Sequence, residues 1–230
     1  MTNTQADTTR PALSSHAYIL LDRTGSMSSI WEEALGSVNA YADGLAQPAG
    51  GTPPGPDDRI TLAVFDHQAR LQFDVLREAV RAGEWRPVTS AEASPRGMTP
   101  LFDAIARMIA LAEADNPQRA IIVIMTDGAE NASQEVTREG VKAALERVRA
   151  KGWEVVFLGA EFAKFSDADA IGVGAGQQMA MSKDGLKRSM RSLAAKSRQY
   201  FESAAPAPVA FNEADRAEAG EADVQRRKGS

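Results

Sequence analysis

Four short runs of almost unbroken apolar sequence set the strongest limit on how this chain folds. They occupy residues 17–21, 60–65, 120–125 and 154–158, and polar or turn-forming residues close each one. A strand with one wet face alternates apolar and polar side chains. These runs do not alternate, so both faces must be covered, which is the pattern of a parallel sheet between two helix layers. Helical stripes lie between them. Ile30, Trp31, Ala34, Leu35, Val38, Tyr41, Ala42 and Leu45 recur at spacings of three and four, as do Leu101, Ile105, Met108, Ile109 and Ala112. Two more helices are expected, one from Arg138 to Lys151 with Thr137 as its cap and Gly152 as its stop, the other from Asp184 to about Ser203. Strands alternating with helices predict a doubly wound α/β fold, a Rossmann-like three-layer sandwich with right-handed crossovers.

The remaining segments read as connections or tails. Residues 47–58 are rich in Pro and Gly and predict a surface loop. A short antiparallel edge strand is expected around Leu71, Gln72 and Phe73. Residues 1–15 read as a flexible lead-in. The stretch 204–230 has only Val209, Phe211 and Val224 as sizeable apolar residues, and so predicts a disordered tail. One domain over 16–203 remains. Neither a secretory signal nor an apolar run of the roughly 20 residues that span a bilayer is present, so a soluble, cytoplasmic protein is expected.

Composition removes several chemistries. The 230 residues include no Cys, which excludes disulfides, thiolate zinc sites, iron–sulfur clusters and a cysteine nucleophile. With only His16 and His67, a three-histidine metal site is excluded too. A formal charge of −5 argues against a protein that coats nucleic acid.

In open α/β sheets ligands bind beyond the carboxyl ends of the strands. Three polar pieces stand at such places: Asp22-Arg23-Thr24-Gly25-Ser26, Gly97-Met98-Thr99-Pro100-Leu101 and Thr126-Asp127-Gly128. Asp22, Thr24 and Ser26 alternate, so in an extended turn one carboxylate and two hydroxyls converge. Thr99 adds a hydroxyl and Asp127 a second carboxylate. These hard oxygen donors suit Mg²⁺ first and Mn²⁺ second, while a dedicated Ca²⁺ loop would bring more carboxylates. Two negative charges against two positive ones leave neutral hydroxyls in much of the shell. The cation would stay electrophilic and ready to accept a carboxylate from outside.

The motif Asp22-x-Thr24-x-Ser26, with Thr99 and Asp127 in this order at the strand ends, resembles the metal-ion-dependent adhesion site of von Willebrand factor A (vWA) domains. The resemblance covers about Ala17 to Tyr200. It implies a mostly parallel six-stranded sheet with one antiparallel edge strand. It also implies Mg²⁺ held by Asp22, Thr24, Ser26, Thr99 and Asp127, with the two aspartates acting through water, and a protein partner whose Glu or Asp completes the shell. Two positions depart from the usual pattern: Thr24, where Ser is commoner, and Met98, where Gly is common.

Each piece has a plainer reading. Ser26 or Ser28 fits a cap on the helix near Ile30, Thr99-Pro100 fits a cap and first-turn proline, and Asp127-Gly128 is a common turn pair. The basic residues between 183 and 198 read as a solvated helix face, with an acidic partner or nucleic acid as the alternative. Gly172, Gly174 and Gly176 lack the Lys-Ser/Thr of a phosphate loop. Trp31, Trp85 and Trp153 read as core residues, and His16 and His67 as non-ligands. The function expected is therefore a non-enzymatic protein-binding module. A Mg²⁺-dependent phosphohydrolase using an aspartate nucleophile is the competing class.

Overall fold

The computed structural model describes residues 14–47, 58–160 and 165–228. Six strands form one sheet: β1 Ser15–Asp22, β2 Asp58–Gln68, β3 Arg70–Arg81, β4 Arg119–Thr126, β5 Glu154–Ala160 and β6 Gln178–Met181. Their order is β3-β2-β1-β4-β5-β6, and every pair is parallel except β2–β3. The chain winds outward from β1 in one direction and from β4 in the other. The crevice where ligands bind in such sheets therefore lies between the carboxyl ends of β1 and β4.

The near-continuous apolar runs are buried on both faces, as their lack of alternation requires. Ala17, Ile19 and Leu21 of β1 pack against helices α1 (Trp31–Ala46) and α5 (Leu186–Glu202), while Tyr18 and Leu20 face α2 (Leu101–Asp115) and α3 (Arg138–Ala150). Each fully buried Leu or Ile contributes about 1.5–3 kcal/mol relative to exposure, so a one-residue slip of β1 would exchange the two cores at great cost. A short helix, α4 (Ser166–Ala170), precedes β6. The Trp reading holds, with Trp31 and Trp153 buried and Trp85 packed against the core edge.

Two strands differ from the expectation. The edge strand around Leu71 is the whole of β3, 12 residues long, paired to β2 across a bulge near Leu62 and turned through Ala69 at φ 64°. Its exposed Arg70, Asp74, Glu78 and Arg81 break up the apolar signal, and such charges keep an open edge from pairing with another chain. Strand β6 has only four residues, too few to give a periodic signal.

The tail expectation is corrected. Residues 204–228 are not disordered: they carry α6 (Glu213–Ala219) and α7 (Glu221–Lys228), and Val209, Phe211, Ala219 and Val224 are buried. A capping box starts α6, where Asn212 Oδ1 accepts from Asp215 N at 3.0 Å and Asp215 Oδ2 accepts from Asn212 N at 2.8 Å. Gly220, at φ +70°, ends that helix. The tail is held across β6 and α5: Ser182 N donates to Ala219 O at 2.8 Å, Ala180 N to Glu221 Oε1 at 3.0 Å, and Ser192 Oγ to Asp215 Oδ1 at 2.6 Å. The segment's own apolar residues are too few for a core, and its order comes from the surface of β6 and α5 that it covers.

The basic stretch 183–198 is correspondingly less free than a solvated face. Lys196 pairs with Asp215 at 2.9 Å, Lys183 pairs with Glu33 at 3.2 Å, and the buried Arg198 donates to Gly44 O. Lead-in residues 1–13 and loop residues 48–57 lie outside the described residues. Among the described residues no helix is long and apolar enough to cross a membrane.

Candidate metal centre

Asp22 ends β1 and Thr126 ends the neighbouring β4, so sheet pairing alone brings them together. Thr126 Oγ1 donates to Asp22 Oδ2 at 2.6 Å, and Thr24 N donates to Asp22 Oδ1 at 2.7 Å. The second bond turns the chain out of the strand into a 3-10 turn over Gly25–Ser29. Thr24 Oγ1 then lies 3.2 Å from Ser26 Oγ, Ser26 Oγ donates to Asp127 Oδ1 at 2.7 Å, and Thr99 Oγ1 donates to Thr24 Oγ1 at 3.3 Å. All five residues singled out in the sequence thus meet in one cluster drawn from three loops. Asp22, Thr24, Thr99 and Asp127 are buried; Ser26 is exposed and marks the mouth.

Glycine makes room for this approach. A Cβ on Gly128 would sit 3.0 Å from Thr99 Oγ1 and 3.6 Å from Ser26 Oγ, filling the space that the hydroxyls share. Gly97, at φ +72°, turns the second loop where a Cβ would stand 2.5 Å from His67 O. Met98 follows, half exposed, with its backbone bridged to His67.

The capping readings fail for Ser26 and Thr99. Helix α1 has Ile30 at its cap position with no side-chain bond, Ser28 Oγ donates to Gly25 O, and Ser26 is turned to Asp127. Helix α2 has Pro100 at its cap position, also without a side-chain bond. Its first free N–H groups are met from another loop, at Glu130 and Ser133. The hydroxyls of Ser26 and Thr99 are therefore left to Asp127 and Thr24.

Charge is poorly balanced here. Burial pushes the Asp22 carboxyl up to about 7, against the pull of the Thr126 and Thr24 hydrogen bonds, and the negative charge of Asp127 raises it further. Burial likewise raises Asp127, offset in part by the Ser26 hydroxyl. Arg23, next to Asp22 in sequence, does not neutralise the pair: it is buried against Asp66 at 2.7 Å and also holds Asp74. Two desolvated acids facing three hydroxyls favour a cation in their midst. Adjacent oxygens around a small hard cation with about 2.0–2.1 Å bonds in octahedral geometry lie about 3 Å apart. The contacts of 2.7, 3.2 and 3.3 Å bracket that spacing, so the donor set fits such an ion. Among the described residues no group of three or more His, Cys, Asp or Glu is placed to hold a metal, so a metal here relies on hydroxyls.

The other candidates lie elsewhere. His16 sits at the opposite end of β1, bonded to Thr61 Oγ1 at 2.8 Å and stacked on Tyr18. His67 is half-buried at the end of β2, outside the cluster, with Nε2 unpartnered among the described residues. The glycines at 172–176 lead into β6, and Gly176 O anchors the tail by accepting from Phe211 N at 2.8 Å. Sequence reasoning missed Thr126 as the residue that orients Asp22, although its place beside Asp127 at a strand end was a usable signal. It also missed Glu130, Asn131 and Ser133, for which no spacing rule exists.

No family model and no curated protein matches the sequence. Solved structures do match. The vWF domain of the type V pili tip protein Mfa5 from Porphyromonas gingivalis has a TM-score of 0.60 at 8% identity, over 80% of this chain and 95% of that one. Proximal thread matrix protein 1 from the mussel byssus, with a zinc-occupied MIDAS motif, has a TM-score of 0.54 at 12% identity. That match covers 80% of this chain and 45% of the mussel chain, so this chain spans under half of the mussel protein's length. Manganese-loaded TRAP protein from Plasmodium vivax has a TM-score of 0.54 at 12% identity, over 77% of this chain and 72% of that one. What is shared at these identities is the fold.

Proposed function

The chain has the von Willebrand factor A fold, and on that premise we propose that it is a protein-binding module that holds Mg²⁺ and engages an acidic residue of a protein partner. Thr24, Ser26 and Thr99 are the direct hydroxyl ligands. Asp22 and Asp127 act through water, a reading supported by the hydrogen bonds that both Asp22 oxygens already accept from Thr24 and Thr126. An all-oxygen donor set without nitrogen or sulfur favours Mg²⁺, then Mn²⁺, over softer ions. When bound, the cation supplies an electrophilic point for a carboxylate. The residues of this chain hold it and keep its shell low in charge.

The observation that carries this reading is the convergence of five oxygen-bearing side chains from three loops at near-ligand spacing. Calorimetric titration with Mg²⁺ and Mn²⁺ is expected to give one saturable site, lost in Asp22→Ala. Affinity capture from the native lysate is expected to yield a partner that EDTA releases and that Asp22→Ala never captures. Capture that survives EDTA unchanged would contradict the mechanism. A phosphohydrolase would need Asp22 free to attack and a cation to steady the transferring group, yet Asp22 is engaged and Arg23 is committed to Asp66 and Asp74. Mg²⁺-dependent turnover in a phosphoester screen, absent in Asp22→Ala, would restore that class.

A further inference from the structure

We propose that Asn131 is a positioning residue for the metal centre, setting divalent affinity by fixing Thr99 without touching the ion itself; the proposal rests on the metal-binding reading above. Thr99 alone brings an oxygen from the loop before α2, so its backbone placement decides whether that oxygen reaches Thr24. Asn131 holds both polar groups of that backbone. Its Oδ1 accepts from Thr99 N at 2.9 Å, and its own N–H donates to Thr99 O at 3.1 Å.

The surrounding bonds explain why this falls to a residue so far away in sequence. Pro100 offers α2 no cap, so the helix start needs acceptors from elsewhere. The β4–α3 connection supplies them. Phe102 N donates to Glu130 Oε2 at 2.9 Å and to Ser133 Oγ at 3.1 Å, and Asp103 N donates to Ser133 Oγ at 3.1 Å. Glu130 is held for this by Ala132 N at 2.9 Å and Ser133 N at 2.8 Å. In return the buried Asp103 accepts from the backbone of Gln134, Glu135 and Val136 at 2.8, 3.0 and 2.8 Å. The helix is thus capped in trans by the same connection that carries Asp127. Two consequences follow: the Thr99 hydroxyl is released from capping, and the Thr99 and Asp127 loops are zipped in fixed register. Labour is divided along the zip, with Glu130, Ser133 and Asp103 securing the helix end and Asn131 securing Thr99.

That division gives a test with metal ions alone as probes. Wild type, Asn131→Ala, Asn131→Asp and Ser133→Ala are titrated calorimetrically with Mg²⁺, followed by electron paramagnetic resonance of bound Mn²⁺, and melted in chelator. Removing an outer-shell partner of a metal ligand typically costs 10–100-fold in affinity. Asn131→Ala is expected to bind about tenfold more weakly, with a changed Mn²⁺ line shape, and to melt in chelator no earlier than Ser133→Ala, so that its loss of affinity is not a loss of fold. Asn131→Asp keeps the acceptor and is expected to restore binding, with titrations at raised salt to damp its added charge. Ser133→Ala is expected to melt earlier in chelator yet keep wild-type affinity. Equal affinity in wild type and Asn131→Ala would overturn the positioning role alone. So would a loss in Ser133→Ala as large as that in Asn131→Ala. A wild type that binds neither ion would overturn the metal-binding reading and this proposal with it.

Discussion

Strand β1 starts in one buried polar cluster and ends in another, and the two are built on opposite principles. At its start His16 bonds Thr61, Thr61 Oγ1 accepts from Ala79 N, and the Tyr18 hydroxyl donates to Asp115 at 2.9 Å. Each of these donors meets an acceptor, and burial keeps the ring groups neutral: the His16 imidazole is driven down to about 4 against the pull of Asp115, and the Tyr18 phenol is raised. At the other end acceptors outnumber donors, and two carboxyls are raised by burial with no basic residue among the described residues paired to them. A satisfied network rigidifies a core, whereas an acid-rich one is destabilising until a cation joins it. Burial is alike at both ends of the strand; the donor–acceptor balance marks the end that we propose takes a ligand.

The largest expected effect tests the neutral end. His16 has its folded pKa lowered from 6.5 to about 4, so the unfolded chain takes up the proton first. Its contribution is intact above about pH 6.5 and is lost as pH falls toward about 4, a change of about 3 kcal/mol. Urea unfolding across that range should show the slope, and His16→Leu should flatten it; an unchanged slope would assign the acid sensitivity to other groups.

Next in size is the metal-linked effect at the acid-rich end. At a Mg²⁺ concentration one hundred times the dissociation constant, binding to the folded state alone adds about 2.7 kcal/mol. In Asp22→Asn that increment should vanish, while stability in chelator should not fall, because a buried charge has been removed and an acceptor kept. Thermal melts with and without Mg²⁺ measure both. A Mg²⁺ increment that persists in Asp22→Asn would erase the contrast.

The smallest effect compares one residue type at the two ends. Thr61→Val removes the partner of both His16 and Ala79 N and should cost about 1–2 kcal/mol with or without metal. Thr99→Val removes only the 3.3 Å contact to Thr24 and should stay within about 0.5 kcal/mol of wild type in chelator, yet weaken Mg²⁺ binding. Equal losses in chelator would mean that the Thr99 hydroxyl is structural.

Much of this was legible in the chain itself. The unbroken runs at Ile19, Leu62, Val123 and Val156 gave the buried parallel strands, and the stripe from Leu101 to Ala112 gave α2. Regular elements announce themselves because their own side chains carry the period. The tail did not, since Val209, Phe211 and Val224 are too few to form a core and suffice only against β6 and α5. Asn131 gave no signal either, because a clip on a backbone 32 residues away leaves no spacing to read.

What the sequence determined by itself was which residues are buried in strands, which helices cover them, and that Asp22, Thr24 and Ser26 share one turn. Strand-end position and the family resemblance already grouped Thr99 and Asp127 with them; tertiary structure alone decided how closely the five approach, that α2 would be capped from the β4–α3 connection, and that the last helices would fold. The physical reason is range: period and turn chemistry act between near neighbours, while the meeting of three loops depends on strand order in the sheet, where β1 lies beside β4 although 96 residues separate Asp22 from Arg119.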